Sequence, residues 1–305
     1  MLVLVIMSYA YPTPQLRLST AASLRIATWN CNGLSKTKKD LAKEMDFDIL
    51  CLPETHKYTD NDSHMLYAAP PPDNDPWSGV SLMLSNRVRK YVTHWDFIGS
   101  RIVYCRLKGH ACNYFVIGIY IPQSKRINPD QSNTYDELAK LLRQVSNRDC
   151  IILLGDFNSR LARDIDNHTG HWSIHNRNDA GGDRLLEIMR TFTLKCVSTC
   201  FQPPRKHSNA TYLNVQPQLP PSQIDHIIVS SRWSSSVRGC KTMWGLSMKA
   251  HGRKYDHSVV AMTFKLKQRC QQPSIKRDFK ALKSDSTSNR FENKLQEELA
   301  KTDRP

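Results

Sequence analysis

The stretch IILLGDFNSR (residues 151–160) joins four consecutive aliphatic residues directly to a short polar run. An aliphatic run of this length that ends at glycine and polar residues predicts a buried β-strand. Asp156 and Asn158 then stand at the end of that strand, and Gly155 is expected to let the backbone turn sharply just before them. A carboxylate and a carboxamide at the end of a buried strand need an explanation.

Other segments of the chain have the same apolar character. Strands are predicted at residues 24–30, 47–55, 78–85, 101–107, 113–122, 210–213, 223–230 and 257–267. Apolar residues at helical spacing predict helices at residues 35–45, 134–145 and 182–192, the first with Ser35 as its N-cap. Strands outnumber helices, and the helices fall between groups of strands. This order favours an α/β fold in which two mostly antiparallel or mixed sheets pack together with helices outside, over a doubly wound parallel sheet.

One domain is predicted, from residue 23 to residue 268. Residues 1–22 are expected to form a disordered leader, because the apolar start MLVLVIMSYA lacks the basic region of a signal peptide and is too short to cross a bilayer. From residue 269 to residue 305 the composition is polar and basic, which predicts a flexible linker with a short terminal helix at 290–301. We expect no membrane-spanning segment.

The chain is strongly basic, with 43 Lys and Arg against 28 Asp and Glu and a net charge of +15. Such an excess suggests an anionic partner such as nucleic acid, although a basic solvated surface with a charged tail explains it equally well. The nine cysteines are odd in number and scattered, which argues against a disulfide framework and indicates a reducing compartment.

Several predicted strands end on polar residues that are suited to chemistry. The set comprises Asn30, Asn32, Glu54, Tyr120, Asp156, Asn158, Asp225, Asp256 and His257. Any one of them alone is better explained as a turn former or a satisfied structural side chain. Turn formation gives no reason for five strands to end in this way, and strands of one sheet can present all these side chains at a single edge.

These residue types match the requirements of phosphodiester cleavage: a hard divalent cation, an activated water and neutralisation of charge on the phosphoryl oxygens. Mg²⁺ prefers oxygen ligands, which Glu54 and Asn32 would supply. Asp156 suits activation of the attacking water, with Asn158 fixing its direction. Asp225 would hold His257 in one tautomer and favour its protonated form.

Six motifs, TWNCNGL, PETH, YIPQ, GDFN, QIDHI and YDHSVV, occur in the order typical of the endonuclease/exonuclease/phosphatase superfamily. Within residues 24–266 the chain most resembles the endonuclease domains of non-LTR retrotransposons and their craniofacial-development-protein-like relatives. The resemblance implies a four-layer α/β sandwich. It also implies nicking of DNA that leaves a 3′-hydroxyl and depends on Mg²⁺, with Mn²⁺ as a possible substitute.

The resemblance also assigns roles residue by residue. It implies that Asn32, Glu54 and Asp256 bind the metal, and that the catalytic set is Tyr120, Asp156, Asn158, Asp225, Asp256 and His257. It implies that phosphate or DNA is bound by Asn30, Tyr120, Asn158, Thr211 and Tyr212. Relatives often have tryptophan in place of Tyr212, so the groove contact there departs from the family pattern.

The implied partners are DNA and, in an intact element, a C-terminal reverse transcriptase domain, which does not follow Pro305 here. A fragment, a truncated genomic copy or a host gene derived from such an element is therefore expected, and a DNA substrate suggests residence in the nucleus. No small-molecule cofactor is expected. Two alternatives remain: a phosphatase of inositol phosphates or other phosphomonoesters, and an inactive remnant that binds nucleic acid.

Two further segments carry weaker signals. His168, His171 and His175 lie in a Gly- and Asn-rich loop without a fourth ligand nearby, which weighs against zinc. The basic segment 265–290 is equally consistent with phosphate binding and with a solvated linker.

Overall fold

The structure, a computed structural model, describes residues 23–56, 66–69, 75, 78–123, 129–204, 208–214, 216, 218–244 and 257–265. The chain divides into two compact units, Met1–Lys267 and Gln268–Pro305, and all described residues belong to the first. The predicted leader and the predicted linker with its terminal helix lie outside the described residues.

The first sheet has six strands and joins the two ends of the described chain. In sheet order these are β11 (Val237–Met243), β12 (Val259–Lys265), β1 (Ser23–Thr28), β2 (Ile49–Pro53), β4 (Val80–Leu84) and β3 (Leu66–Ala69). Only the β1–β2 pair is parallel. Because β12 pairs with β1, the loops that follow Thr28 and precede Val259 meet at one end of the sheet.

The second sheet also has six strands. In sheet order these are β5 (Val92–Ile98), β6 (Ile102–Leu107), β7 (Tyr114–Tyr120), β8 (Cys150–Asp156), β10 (Asp225–Ser230) and β9 (Leu194–Cys196). Strands β7 and β8 are parallel, with Tyr120 beside Asp156 in the register. Strand β10 runs antiparallel to β8 and places Asp225 opposite Asp156. The strand register alone therefore brings three predicted site residues together at one end of this sheet.

Within the described ranges, three longer α-helices and one short α-helix accompany the sheets. These are α1 (Lys36–Glu44), α2 (Asn86–Arg89), α3 (Pro129–Gln144) and α4 (Ala180–Thr191). Helix α1 has the predicted N-cap, because the Ser35 side chain accepts a hydrogen bond from the Lys38 backbone N–H at 3.3 Å. Helix α4 is capped by Asp179, whose carboxylate accepts from the Gly182 N–H.

Three apolar clusters define the layers. The first lies between the two sheets and includes Ile26, Leu82 and Ile152. The second packs α3 and α4 against the outer face of the second sheet, for example through Leu138 and Leu185. The third packs α1 against the outer face of the first sheet. The fold is the predicted α/β sandwich of four layers, helix, sheet, sheet and helix.

Four strands, β3, β5, β9 and β11, were not predicted from the sequence. Strand β5 is an edge strand with few buried residues, and β9 has three residues, so neither carries a strong apolar period. The predicted strand at 210–213 was wrong as an extended element. Tyr212 instead forms isolated bridges with Ser222 and His257.

Gly155 serves a different purpose from the one expected. It does not form a turn: it lies inside β8, directly opposite Ile119 of β7. A Cβ atom at this position would lie 1.9 Å from the Ile119 carbonyl oxygen. Glycine is therefore required because the two parallel strands approach too closely for any side chain.

Two negative findings concern the described residues. None of their helices is long and apolar enough to cross a membrane. The eight cysteines within the described ranges are all free thiols, and all but Cys200 are buried.

Candidate active site

Asp156, at the carboxyl end of β8, is the centre of a buried polar cluster. Its Oδ2 accepts a hydrogen bond of 2.8 Å from Asn30 Nδ2, in the loop that follows β1. Its Oδ1 accepts from the backbone N–H of Asn158 at 2.9 Å. The Asn158 side chain in turn donates from Nδ2 to the Ile121 carbonyl oxygen at 2.8 Å, which connects the loop to the residue after β7. The carboxylate is thus held from both sides in one orientation.

His257 and Asp225 form the second part of the cluster. His257 Nδ1 lies 2.9 Å from Asp225 Oδ2, so Nδ1 carries the proton and Nε2 faces Asp156. His257 Nε2 is 3.8 Å from Asp156 Oδ2 and 3.5 Å from Asn30 Nδ2. The predicted Asp225–His257 pair is therefore present, and it adjoins the Asp156 carboxylate.

Three predicted site residues share an unusual backbone conformation. Asn32, Glu54 and Asn158 have φ angles of 43°, 54° and 44°, in the left-handed region that non-glycine residues rarely adopt. Such strained residues persist where the surrounding structure holds them, and they cluster at functional sites. Here the Asn32 N–H donates to Asn30 Oδ1 at 3.0 Å, and the Glu54 carbonyl accepts from Gly33 N at 2.7 Å.

Glu54 and Tyr120 meet at the exposed side of the cluster. The Glu54 charge acts on Tyr120 and also on Asp156 and His257. Arg101 lies over the Tyr120 ring, 5.6 Å from its centroid, and is bound to Asp75 at 2.7 Å. Arg101 stands in a turn, and no sequence motif marks it as a site residue.

The cluster shifts the pKa values of its own members. Burial, reinforced by the charges of Asp225 and Glu54, raises the pKa of Asp156 to about 8, although His257 opposes the shift. Burial alone would lower the pKa of His257, but Asp225 and Asp156 more than compensate and raise it to about 10. Burial raises the pKa of Tyr120 well above its usual value, so the phenol stays protonated as a hydrogen-bond donor.

Two sets of side chains are possible cation ligands. Ligand atoms of Asp156, Asp225 and His257 all lie within 4.8 Å of one another. However, a protonated imidazole has no lone pair for a metal, and the raised pKa of His257 keeps it protonated at neutral pH. Glu54 and the exposed Asn32 instead offer a carboxylate and an amide oxygen, the hard donors that suit Mg²⁺.

The structure corrects the expected role of Thr211. The Thr211 side chain is fully buried, and its hydroxyl accepts the backbone N–H groups of Ile224 and Asp225, each at 3.0 Å. It supports the backbone at Asp225 and is shielded from solvent. Tyr212 does lie at the site, with its ring centroid 4.9 Å from that of His257. Asp256 lies outside the described residues.

Asn30 has a supporting role rather than a direct phosphate contact. Its side chain is fully buried and connects Asp156 with the backbone of Asn32. Lys38, which sequence analysis passed over, donates from Nζ to the carbonyl oxygens of Cys31 and Asn32 at 2.6 and 3.0 Å. Both residues therefore fix the loop that carries Asn32.

His226 is a second supporting residue that sequence analysis passed over, although it adjoins Asp225 in the QIDHI motif. Its Nε2 lies 3.0 Å from the Ser159 carbonyl oxygen, just beyond Asn158. Burial lowers the pKa of His226, so the ring is neutral and donates to this carbonyl.

The three histidines of the loop at 168–175 do not converge. His168 contacts the Leu194 carbonyl at 2.7 Å, His171 pairs with Asp164 at 2.9 Å, and His175 Nε2 accepts from Gln223 N at 3.0 Å. Within the described ranges, the only group of side chains with metal-ligand spacing is Asp156, Asp225 and His257.

The sandwich and its strand-edge cluster define a fold shared by nucleases and phosphatases. Residues 27–247 match the model of the Endonuclease/Exonuclease/phosphatase family, and the chain belongs to that family. This confirms the family resemblance and the fold expected from the motifs.

Two curated relatives are similar to most of this chain. Craniofacial development protein 2 of Bos taurus is 28% identical over 275 residues, which are 87% of this chain and 44% of that protein. The protein of the same name from Tragulus javanicus is 29% identical over 253 residues, which are 79% of this chain and 42% of that protein. The chain thus spans less than half the length of these relatives.

Solved structures share the fold at low sequence identity. The endonuclease domain of TRAS1, a telomere-specific non-LTR retrotransposon, is similar with a TM-score of 0.57 and 14% identity, covering 81% of this chain and all of that one (100%). A variant of the 3′ phosphatase NExo from Neisseria, bound to a product DNA hairpin, is similar with a TM-score of 0.58 and 17% identity, covering 79% of this chain and 99% of that one. The AP endonuclease LMAP from Leishmania major is similar with a TM-score of 0.58 and 15% identity, covering 80% of this chain and 88% of that one.

Proposed function

We propose that this protein is a Mg²⁺-dependent DNA endonuclease that hydrolyses one phosphodiester bond and leaves a 3′-hydroxyl. The observation that carries the proposal is the convergence of Asp156, His257 and Glu54, from distant parts of the chain and from both sheets, on one buried cluster. Each group has the chemistry that one part of phosphodiester hydrolysis requires.

Asp156 is the base that takes a proton from the attacking water. Its carboxylate is held by Asn30 and by the Asn158 N–H, so that its direction is fixed before substrate arrives. A base whose pKa lies near the working pH is the most effective, and the pKa of Asp156, about 8, meets this condition.

His257 and Tyr120 stabilise the negative charge that develops on the phosphoryl oxygens. His257 is held protonated by Asp225 and directs Nε2–H towards the site. Tyr120 keeps its hydroxyl proton and stands beside Glu54 at the exposed side. Donors that are fixed in a water-poor site stabilise such charge without having to reorganise during the reaction.

Glu54 and Asn32 are the residues that would hold the metal, and Asp256 joins them in this proposal. A bound Mg²⁺ supplies charge neutralisation at the phosphoryl and leaving oxygens. The left-handed backbone of Asn32 and Glu54 is fixed by Asn30 Oδ1 and Gly33 N, which gives the two oxygen ligands a defined position. Mn²⁺ has similar ligand preferences and is expected to substitute.

DNA is the proposed substrate because of the chain's charge. The net charge of +15 suits a long polyanion, for which contacts are distributed over many phosphates. A retrotransposon origin, a reverse transcriptase domain as partner in an intact element, and residence in the nucleus complete the proposal; all three rest on the family resemblance.

Nicking of supercoiled plasmid by the purified full chain tests the function. We expect conversion to open circles with Mg²⁺, none in EDTA, and a loss of at least about 100-fold in Glu54→Gln and in His257→Ala. Arg163→Ala, an exposed substitution outside the cluster, is the matched control and should retain activity.

Four results would count against the proposal. Nicking that survives both substitutions would show that the site is elsewhere. Undiminished nicking in EDTA would show that the reaction does not require a divalent metal ion. Turnover of an inositol phosphate with Mg²⁺, without plasmid nicking, would favour the phosphatase alternative, while DNA binding without turnover of either would favour an inactive remnant.

A further inference from the structure

A cleft of about 510 Å³ adjoins Asn158, among residues of the loops around 158–160 and 212–224. Its volume lies within the roughly 300–1,000 Å³ typical of ligand pockets in proteins. The cleft shares Asn158 and Tyr212 with the candidate active site, so a group that occupies it lies next to the reacting phosphate.

Two kinds of wall line this cleft. Tyr212, Leu219 and Ile224 provide apolar surface, and the Leu219 side chain is 44% exposed. Arg160 provides hydrogen-bond donors at the opposite, polar wall. A flat ligand with apolar faces and a polar edge, such as a nucleobase, matches both walls.

Arg160 differs from the six described arginines that form salt bridges. Arg25, Arg87, Arg101, Arg106, Arg184 and Arg190 each form a salt bridge with an aspartate or a glutamate. The Arg160 guanidinium instead donates to the neutral Ser222 hydroxyl at 3.1 Å, and no carboxylate of the described residues is within salt-bridge distance of it. Its charge and its remaining N–H groups are therefore available to a ligand.

The backbone beneath this arginine is rigidly placed. The Arg160 N–H donates to Asp179 Oδ1 at 3.1 Å, at the start of helix α4. A Cβ on Gly182 would lie 1.9 Å from the Arg160 carbonyl oxygen, so the helix approaches the loop as closely as glycine allows. The neighbouring Ser159 hydroxyl lies 2.8 Å from the Tyr135 hydroxyl. A side chain on such a support can recognise a ligand edge with little loss of conformational entropy.

We propose that Arg160 binds a guanine base at the nucleotide next to the scissile phosphate and so contributes to the choice of cleavage site. Arginine pairs with guanine through two hydrogen bonds to O6 and N7, a geometry that the other bases do not offer. This inference rests on the proposed nuclease function, since it assigns a substrate contact to the same site. A base inside the cleft has left the helical stack, which is easiest for an unpaired nucleotide.

The test uses DNA duplexes with a short central bubble whose nucleotides are randomised. The full chain cuts this library with Mg²⁺, and the nick positions are sequenced. In parallel, the molecules retained by the protein in EDTA are sequenced, so that base preference is measured even if nothing is cut. Wild type is compared with Arg160→Ala, Arg160→Lys and the control Arg163→Ala, and thermal unfolding checks that each variant is folded.

We expect guanine enrichment at one position beside the nick in the wild type and in Arg163→Ala. Arg160→Ala and Arg160→Lys should lose this enrichment, by roughly 5- to 150-fold, because lysine keeps the charge but lacks the two-pronged geometry. Unchanged enrichment in Arg160→Ala would overturn the inference, as would a uniform loss of binding across all sequences or no guanine preference in the wild type. If the wild type binds with guanine preference but never cuts, the proposed nuclease function fails while the base contact stands.

Discussion

Asn30 Nδ2 donates to Asp156 Oδ2 over 2.8 Å, although 126 residues separate the two in the chain. The same Asn30 side chain accepts the Asn32 N–H through Oδ1. One buried amide therefore couples the proposed base to the loop that carries a proposed metal ligand, and its removal should disturb both.

Asn30→Leu is expected to reduce kcat for plasmid nicking by about 10- to 100-fold, the usual effect of losing a residue that orients a ligand or base. Steady-state kinetics over a range of Mg²⁺ concentrations measures the loss. The Mg²⁺ concentration needed for half of the maximum rate should rise with it, because Mg²⁺ is bound more weakly. Asn30→Asp is the informative comparison, because a second carboxylate beside Asp156 raises its pKa and shifts the acid limb of the pH profile upwards. Equal activity in all three proteins would contradict the coupling.

The rate of nicking should depend on pH as a bell-shaped curve. Asp156 acts only when deprotonated, so activity rises as the pH increases through its pKa of about 8. His257 acts only when protonated, so activity falls as the pH increases through its pKa of about 10. The optimum should lie between these values in the absence of other effects, and bound Mg²⁺ displaces the acid limb to lower pH, because a cation favours the carboxylate.

Asp225→Asn should act on both limbs of this curve, because the Asp225 charge raises the pKa of Asp156 as well as that of His257. Loss of the Asp225 charge lowers the pKa of His257, so the alkaline limb should move to lower pH and the maximum rate should fall. The measurement is kcat/KM against pH for wild type and variant under identical salt. An alkaline limb that does not move would show that it does not report His257.

Thr211 is expected to matter for stability, since its hydroxyl accepts two buried N–H groups. Thr211→Val keeps the shape of the side chain but leaves both donors unpaired, and should lower the free energy of unfolding by roughly 1–3 kcal/mol. Urea denaturation measures the change. Thr211→Ser retains the hydroxyl, so its free energy of unfolding should fall less. A valine variant as stable as the wild type would show that the Thr211 hydroxyl does not stabilise the fold.

Gly155→Ala should destabilise the second sheet severely, by more than about 3 kcal/mol, because the added methyl group would lie 1.9 Å from the Ile119 carbonyl oxygen and force β7 and β8 apart. Gly239→Ala in β11 is the matched control, since its Cβ would meet nothing within 4 Å and the change should be close to neutral. Denaturation of both variants decides the matter. Similar stabilities for the two would mean that the β7–β8 contact is not as close as it stands here.

Much of the fold was accessible from local patterns. The β8 strand and the N-cap of α1 follow from periodicity and residue type, which are properties of a few consecutive residues. Strands β5 and β9 were missed because an edge strand and a strand of three residues bury too little to show a period. The misplaced strand at 210–213 has the opposite cause: its β-forming residues make only isolated bridges with Ser222 and His257.

By itself, the sequence determined which chemical groups were available: a carboxylate at 156, a histidine at 257 and the glycine at 155 all follow from residue identity. Only the tertiary structure decided what each one does, because roles depend on distances between residues far apart in the chain. The structure turned Thr211 from an expected DNA contact into a support for Asp225, and it left Arg160 with a neutral hydrogen-bond partner beside the reacting site. Strand pairing sets these distances, and no local sequence pattern specifies which strands will be neighbours.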